Sequence, residues 1–381
     1  MDKETIESAG GGQDASRDFA HLTIRHPNME KPLEDLLDTV RDHGGYDIVM
    51  LYGPTGVGKT TIINQAVKKI TQLAGDIPPG SIPVAVTEAI APENGKFGWK
   101  DYYIRALTAL SEPLIGRKID YETFERTGKP PRQGSGAADT NGLRRALEHA
   151  LRHRQPAAFF VDEAQHFASV AGGRKLKDQF DVIKSLANTS RSLHVLVGTY
   201  ELLLLQNLSG QLSRRVRQIH MPRYRAEVEQ DRLAFARILL AFQMRLPVPE
   251  PPNLLDSWEY LYTRSVGCVG ILKNWLLRAL NAALEDQSPT VLPEHLRRHA
   301  LSTAQCERIT KEALEGERRV ADSEAGDQEL RWMLGFEPPS GASHGSDAKN
   351  KETLQRRIGQ RKPHRDEIGL QGPAAASGAE S

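Results

Sequence analysis

The chain has little cysteine, no long apolar run and no excess of charge, and each shortage removes a class of protein. Two cysteines among 381 residues, Cys268 and Cys306, make neither a zinc site on their own nor a disulfide framework. The longest purely aliphatic run is LLLL at 202–205, far short of the roughly 20 residues that span a bilayer. The opening MDKETIESAGGGQDASRDF has no apolar stretch and an acidic second residue, so it does not read as a secretion signal. A soluble, cytoplasmic protein without membrane contact is expected. Fifty Lys+Arg balance 49 Asp+Glu for a net charge of +1. That excludes a globally basic, histone-like protein and confines any nucleic-acid contact to a local patch.

What is present suits a folded body of more than one small domain: 39% hydrophobic and 26% charged residues. The ends differ from the middle. Residues 1–19 are rich in Gly, Ser and Asp, and after Phe336 the only large apolar residues are Leu354, Ile358, Ile368 and Leu370. Such segments bury too little surface to offset the entropy of ordering, so disorder is expected at 1–19 and 337–381. Between them, IVMLY (48–52), IPVAV (82–86), AAFFV (157–161) and LHVLVGT (193–199) are apolar on both faces, as strands of a covered parallel sheet are. Helix-period stretches separate them: Ile62, Ile63, Ala66, Val67 and Ile70 share one face, and Leu143, Ala146, Leu147, Ala150 and Leu151 another. The pattern predicts an α/β domain over 20–225 with a parallel sheet between helices. From about 226 the strands stop, and successive amphipathic runs predict a helical domain to 336.

The strongest chemical signal is GPTGVGKT at 53–60, placed after one strand and at the start of a helix. Its glycines let backbone amides wrap a phosphate chain, and the helix N-terminus adds partial positive charge. Gly53, Pro54, Thr55, Gly56, Val57, Gly58, Lys59, Thr60 and Thr61 are the candidate nucleotide cradle. Lys59 is expected to reach the β- and γ-phosphates and Thr60 to ligate Mg²⁺. The second signal is Asp162-Glu163 directly after a buried strand, a costly place for two acids unless their charge is used. Asp162 is expected to hold Mg²⁺ through its waters and Glu163 to act as general base. Thr199, at the tip of a third strand, is positioned to orient a lytic water. Arg214, Arg215 and Arg217, just before a short strand at 218–221, offer a cation for transition-state charge in a neighbouring subunit.

The order phosphate loop, acidic pair, polar strand tip, arginines and helical lid resembles the AAA+ ATPases. Within them, VDEAQHF, LKDQFDVIKSLAN and VGTYELLLLQNLSGQLSRRVR are similar to the TnsC/TniB family of transposition regulators. The resemblance runs from about 20 to 320, and the run 175–217 points to the transposon branch. It implies ATP and Mg²⁺ as cofactors and regulatory ATP hydrolysis. Lys59 and Thr60 become the Walker A pair, Asp162 and Glu163 the Walker B pair, Thr199 sensor 1, and Arg214 or Arg215 the arginine finger. It also implies ring or filament homo-oligomers on double-stranded DNA that recruit transposase and link it to a target-selection protein or RNA-guided complex. One departure stands out: GCVGILK at 267–273 has no arginine where many AAA+ lids carry one, so either Lys273 substitutes or the lid does not read the γ-phosphate strongly.

Lys96, Lys118, Lys129 and Arg132 lie in loops suited to tracking a phosphate backbone without reading bases. Trp99, Tyr102 and Tyr103 read as core on a helix rather than as a stacking platform. The basic tail at 355–369, broken by Pro363, reads as a nonspecific DNA tether or, the favoured reading, a hook for transposase. Two alternatives stay open: another DNA-handling AAA+ protein, such as a replication initiator or helicase loader, and a nucleotide-gated scaffold with negligible turnover.

Overall fold

Alternation of side chains across a strand decides how the sheet is covered. In β1 (Ile48–Tyr52) all five residues are buried. Val49 and Leu51 join one apolar cluster, and Ile48, Met50 and Tyr52 join the other. The same division holds in β3 (Ala158–Asp162), where Phe160 faces one way and Phe159 and Val161 the other. With β2 (Val84–Glu88), β4 (Leu193–Gly198) and β5 (Val216–His220) these strands form one sheet in the order β2-β3-β4-β1-β5. All four pairings are parallel. The computed structural model describes residues 16–92, 95–118, 139–168, 174–206, 215–321 and 324–336. Lys129, Arg132, Arg214, residues 1–15 and the tail beyond Phe336 lie outside them.

α1 (Pro27–Arg41) and α2 (Lys59–Leu73) cover one face, with Leu33, Leu36, Ile62, Ile63 and Ala66 buried against the sheet. α3 (Trp99–Ala109), α4 (Thr140–Arg154) and α5 (Arg174–Ser190) cover the other through Leu107, Leu143, Leu147, Phe180 and Ile183. Tyr102 and Tyr103 are buried and Trp99 stacks on Phe167 at 5.7 Å, so these aromatics are core. The second strand differs from expectation. It starts at Val84 rather than 82, pairs only with β3, and leaves Val86 40% exposed. An edge strand is covered less completely than a central one, which is why its alternation is polar at Glu88. β5 begins at Val216, two residues earlier than read from sequence, and so takes Arg217 into the strand. There the Arg217 guanidinium bonds Thr39 Oγ1 at 2.7 Å and Asp35 at 3.0 Å, a structural tie between β5 and α1.

After β5 come α6 (Glu229–Gln243), α7 (Trp258–Ser265), α8 (Val269–Glu285), α9 (Pro293–His299) and α10 (Thr303–Val320). Their core is built on Trp275, whose indole N–H donates to Leu296 O at 2.8 Å. They belong to the same compact unit as the sheet, Met1–Ala321. A second unit, Asp322–Ser381, contains α11 (Glu324–Met333), on which Trp332 and Met333 are exposed. Both cysteines are free and buried, and among the described residues no helix is long and apolar enough to cross a membrane.

His194, at the start of β4, is fully buried; its Nδ1 pairs with Ser192 O at 3.0 Å and its Nε2 has no partner. Burial lowers its pKa from 6.5 to about 4. The unfolded chain therefore takes up the proton first as pH falls, and the stability present above about pH 6.5 is lost toward pH 4. Between pH 7 and 5 this one group should cost about 2 kcal/mol. In urea unfolding, His194→Leu should lose less stability than the parent over that interval by about this amount; equal losses would place the acid sensitivity elsewhere.

Candidate functional site

Parallel register brings the chemistry to one end of the sheet. Tyr52 is level with Gly198 on one side and His220 on the other. The loop after β1 therefore begins beside the tip of β4, and β3 ends in Asp162 on the far side of β4. Ligands of open parallel sheets bind beyond the carboxyl ends of the strands, where neighbouring connections diverge.

The phosphate loop needs its glycines at defined places. A Cβ on Gly53 would collide with the backbone oxygen of Met221, and Gly56 and Gly58 sit at φ +75° and +114°. Gly58 caps α2, so the loop runs directly into a helix N-terminus, an anion-binding arrangement. Lys59 Nζ donates to Gly53 O at 3.1 Å and Pro54 O at 2.9 Å. Burial lowers its pKa, opposed by Glu163 and Asp162. Thr60 Oγ1 donates to Asp162 Oδ2 at 3.1 Å, although 102 residues separate them. Burial raises the Asp162 pKa, against hydrogen bonds from the Glu163 amide and the Thr60 hydroxyl. A hydroxyl and a carboxylate in contact beside a phosphate cradle fit Mg²⁺. Among the described residues no three His, Cys, Asp or Glu side chains converge, so phosphate oxygens and water would complete its shell. The cradle and the Lys59 amine fit a nucleoside triphosphate.

Glu163 follows in a left-handed conformation, φ +52°, at the start of the turn Ala164–Phe167. Thr199 lies at the tip of β4, where its Oγ1 accepts from Glu201 N at 3.4 Å and its N–H donates to Gln165 Oε1 at 3.2 Å. The Gln165 amide in turn donates to Glu163 Oε2. A cleft of about 610 Å³ opens here, lined by Pro54, Thr55, Gln165, Thr199, Glu201 and Arg319 among others. The structure brings Lys59, Thr60, Asp162, Glu163 and Thr199 to one edge of the sheet, and beside them lie Gln165 and α10, to which sequence reasoning assigned no place at the site. The signal for Gln165 was available: a carboxamide two residues after the acidic pair. None pointed to α10, whose Gly316 packs so closely on Tyr200 that a Cβ would overlap the ring.

The helical region touches the loop through backbone. Ile271 N–H, in the first turn of α8, donates to Gly56 O at 3.1 Å, and a Cβ on Gly270 would crowd that same carbonyl. Lys273 is placed differently from a phosphate ligand: its amine bonds Ala20 O at 2.6 Å. Arg223, 7% exposed, ties the end of the sheet to α10 through Glu317 at 2.9 Å. Arg215 stands before β5, at the opposite end of the strands from the phosphate loop, paired with Asp47 at 3.2 Å. Five residues of strand separate the two ends, about 17 Å. Lys96 is exposed, whereas Lys118 is already paired with Glu112 at 3.1 Å.

Fold and site together define the fold class: a P-loop α/β core of the AAA+ type followed by a helical region. Residues 41–206 match the family model described as an AAA domain. The chain is 27% identical over 253 residues to origin recognition complex subunit 4 of Rattus norvegicus, over 63% of this chain and 51% of that protein. It thus spans about half the length of that curated relative. Similar solved structures include the Walker-type ATPase of Pyrococcus abyssi, with 12% identity and a TM-score of 0.45 over 82% of this chain and 85% of that one. Another is the ADP form of the Aeropyrum pernix ORC2 protein, with 17% identity and a TM-score of 0.46 over 73% and 68%.

Proposed function

We propose that this protein is an ATP-dependent, DNA-binding regulator of transposition. It assembles as a homo-oligomer, ring or filament, on double-stranded target DNA in the cytoplasm. There it recruits transposase subunits and links them to a target-selection protein or RNA-guided complex. Mg-dependent ATP hydrolysis controls that assembly. The observation that carries the reading is the Thr60–Asp162 contact beside Glu163. Lys59 binds and neutralises phosphate, Thr60 and Asp162 hold the cation, and Glu163 takes the proton of the attacking water. Mg²⁺, held by Thr60 and Asp162, would neutralise charge on the phosphates. Glu163 also favours an enzyme over a scaffold without turnover, because a pure switch has no need of a general base there. The transposition role rests on the resemblance of 175–217 to the TnsC/TniB family. The likeness to origin recognition complex subunit 4 favours the second reading, a replication initiator or helicase loader.

Duplex DNA separates these readings from a DNA-free role. Backbone tracking predicts affinity that falls by roughly 0.9 log unit per log unit of salt for each phosphate contacted, with little sequence preference. Lys96→Glu should weaken binding to all duplexes alike and flatten the slope by about one contact, read by fluorescence anisotropy across a salt series. Co-sedimentation of the partner transposase on the assembled protein supports the transposition role. Retention of a replicative helicase, with transposase left in solution, replaces it with the second reading. Strong preference for one short sequence in moderate salt would require groove readout instead.

A further inference from the structure

We propose that Gln165 is a positioning residue that keys the general base Glu163 to the tip of β4. This rests on the hydrolytic reading of Glu163. Gln165 is 7% exposed, and both ends of its carboxamide are engaged beside the cleft. The amide nitrogen donates to Glu163 Oε2, and the amide oxygen accepts the Thr199 N–H at 3.2 Å. One planar group therefore spans the two strand ends that flank the reacting water. Gly198 makes the span possible: a Cβ at that position would run into Gln165 Oε1. The glycine before Thr199 is thus explained by Gln165, not by backbone conformation, since its φ is not in the left-handed region. Glu163 sits at φ +52°, a conformation costly for a non-glycine residue, and the Gln165 amide supplies the hydrogen bond that orients its carboxylate.

The consequence is mechanical. β4 ends in Gly198, and Thr199 leads on into Tyr200, which packs against Gly316 of α10. A shift of α10 that moves Tyr200 also moves the Thr199 amide, and through Gln165 the Glu163 carboxylate. Gln165 touches neither phosphate nor cation in this scheme; it acts through Glu163. Misplacing a catalytic group by about 1 Å costs on the order of 10²-fold in rate.

The test compares single-turnover ATP hydrolysis with equilibrium binding of a fluorescent ATP analogue for the full chain. Gln165→Leu keeps the volume and loses both hydrogen bonds. Gln165→Glu keeps the shape and the acceptor for Thr199 but sets a second anion against Glu163. Both should lower turnover about 10–10²-fold while nucleotide affinity stays within about twofold. Gly198→Ala should do the same, and combined with Gln165→Leu should cost no more than the larger single loss, because both remove one link. Parent-like turnover in Gln165→Glu, or equal losses of affinity and turnover in all three variants, overturns the proposal. Glu163→Gln, run alongside, keeps the two readings apart. If it too hydrolyses ATP at the parent rate, the hydrolytic role of Glu163 fails; if it is inactive while the Gln165 variants are normal, only the tether fails.

Discussion

Glu163→Gln should bind ATP as the parent does and lose turnover by about 10²–10⁴-fold, the usual cost of removing a general base. The substitution preserves volume, so the turn Ala164–Phe167 and the hydrogen bond from the Glu163 N–H to Asp162 Oδ1 at 2.9 Å can stay in place. Lys59→Ala should behave oppositely and lose the nucleotide itself. The Lys59 amine is held by the carbonyls of Gly53 and Pro54, within the loop, where it is poised to exchange them for phosphate oxygens. Burial already lowers its pKa, so an anion in the cradle restores what desolvation removes. Isothermal titration with ATP and a coupled phosphate-release assay separate the two defects. Parent-rate hydrolysis by Glu163→Gln would remove Glu163 from the chemistry.

Replacing Arg214 and Arg215 together with Ala should abolish assembly-dependent stimulation of hydrolysis, a loss of up to about 10³-fold, while isolated subunits still bind ATP. Arg215 lies at the far end of the strands from its own phosphate loop, so within one subunit it cannot meet the γ-phosphate. Any action on the γ-phosphate would have to come from a neighbouring subunit of the proposed assembly. The Arg215 side chain is 60% exposed where it pairs with Asp47, and surface pairs of this kind contribute about 0–1 kcal/mol, so releasing it costs little. Hydrolysis rate against protein concentration is the measurement. A steep rise in the parent and a flat, low profile in the variant are expected. A parent rate strictly proportional to concentration would exclude an arginine acting between subunits.

Much of the core was legible from local pattern. β1 runs over the five residues anticipated, and α2, α4, α8 and α10 each contain the amphipathic run that announced them. α1 was not among the helices read from the sequence, and a proline within a helix is ordinarily a breaker. Pro27 instead occupies the first helical position, where no N–H is needed, and Pro32 is tolerated inside the helix with its ring buried. The edge strand β2 was placed two residues early, since apolar alternation does not reveal which strand has only one neighbour. Lys118 read as a free surface cation; its partner Glu112 lies on the same short loop but is found only by folding it.

The phosphate loop and the acidic pair are contiguous in sequence and carry their own geometry. Glycine torsions, a helix N-terminus and a strand end are properties of short segments, so their chemistry was readable without the fold. Tertiary structure alone decided what those segments meet. Thr60 reaches Asp162 across 102 residues, Gln165 reaches Thr199 across 34, and Arg223 reaches Glu317 across 94. Such pairs obey no sequence period. They exist because parallel strands in the order β2-β3-β4-β1-β5 bring every carboxyl end to one edge, and because α8 and α10 return over that edge to close it.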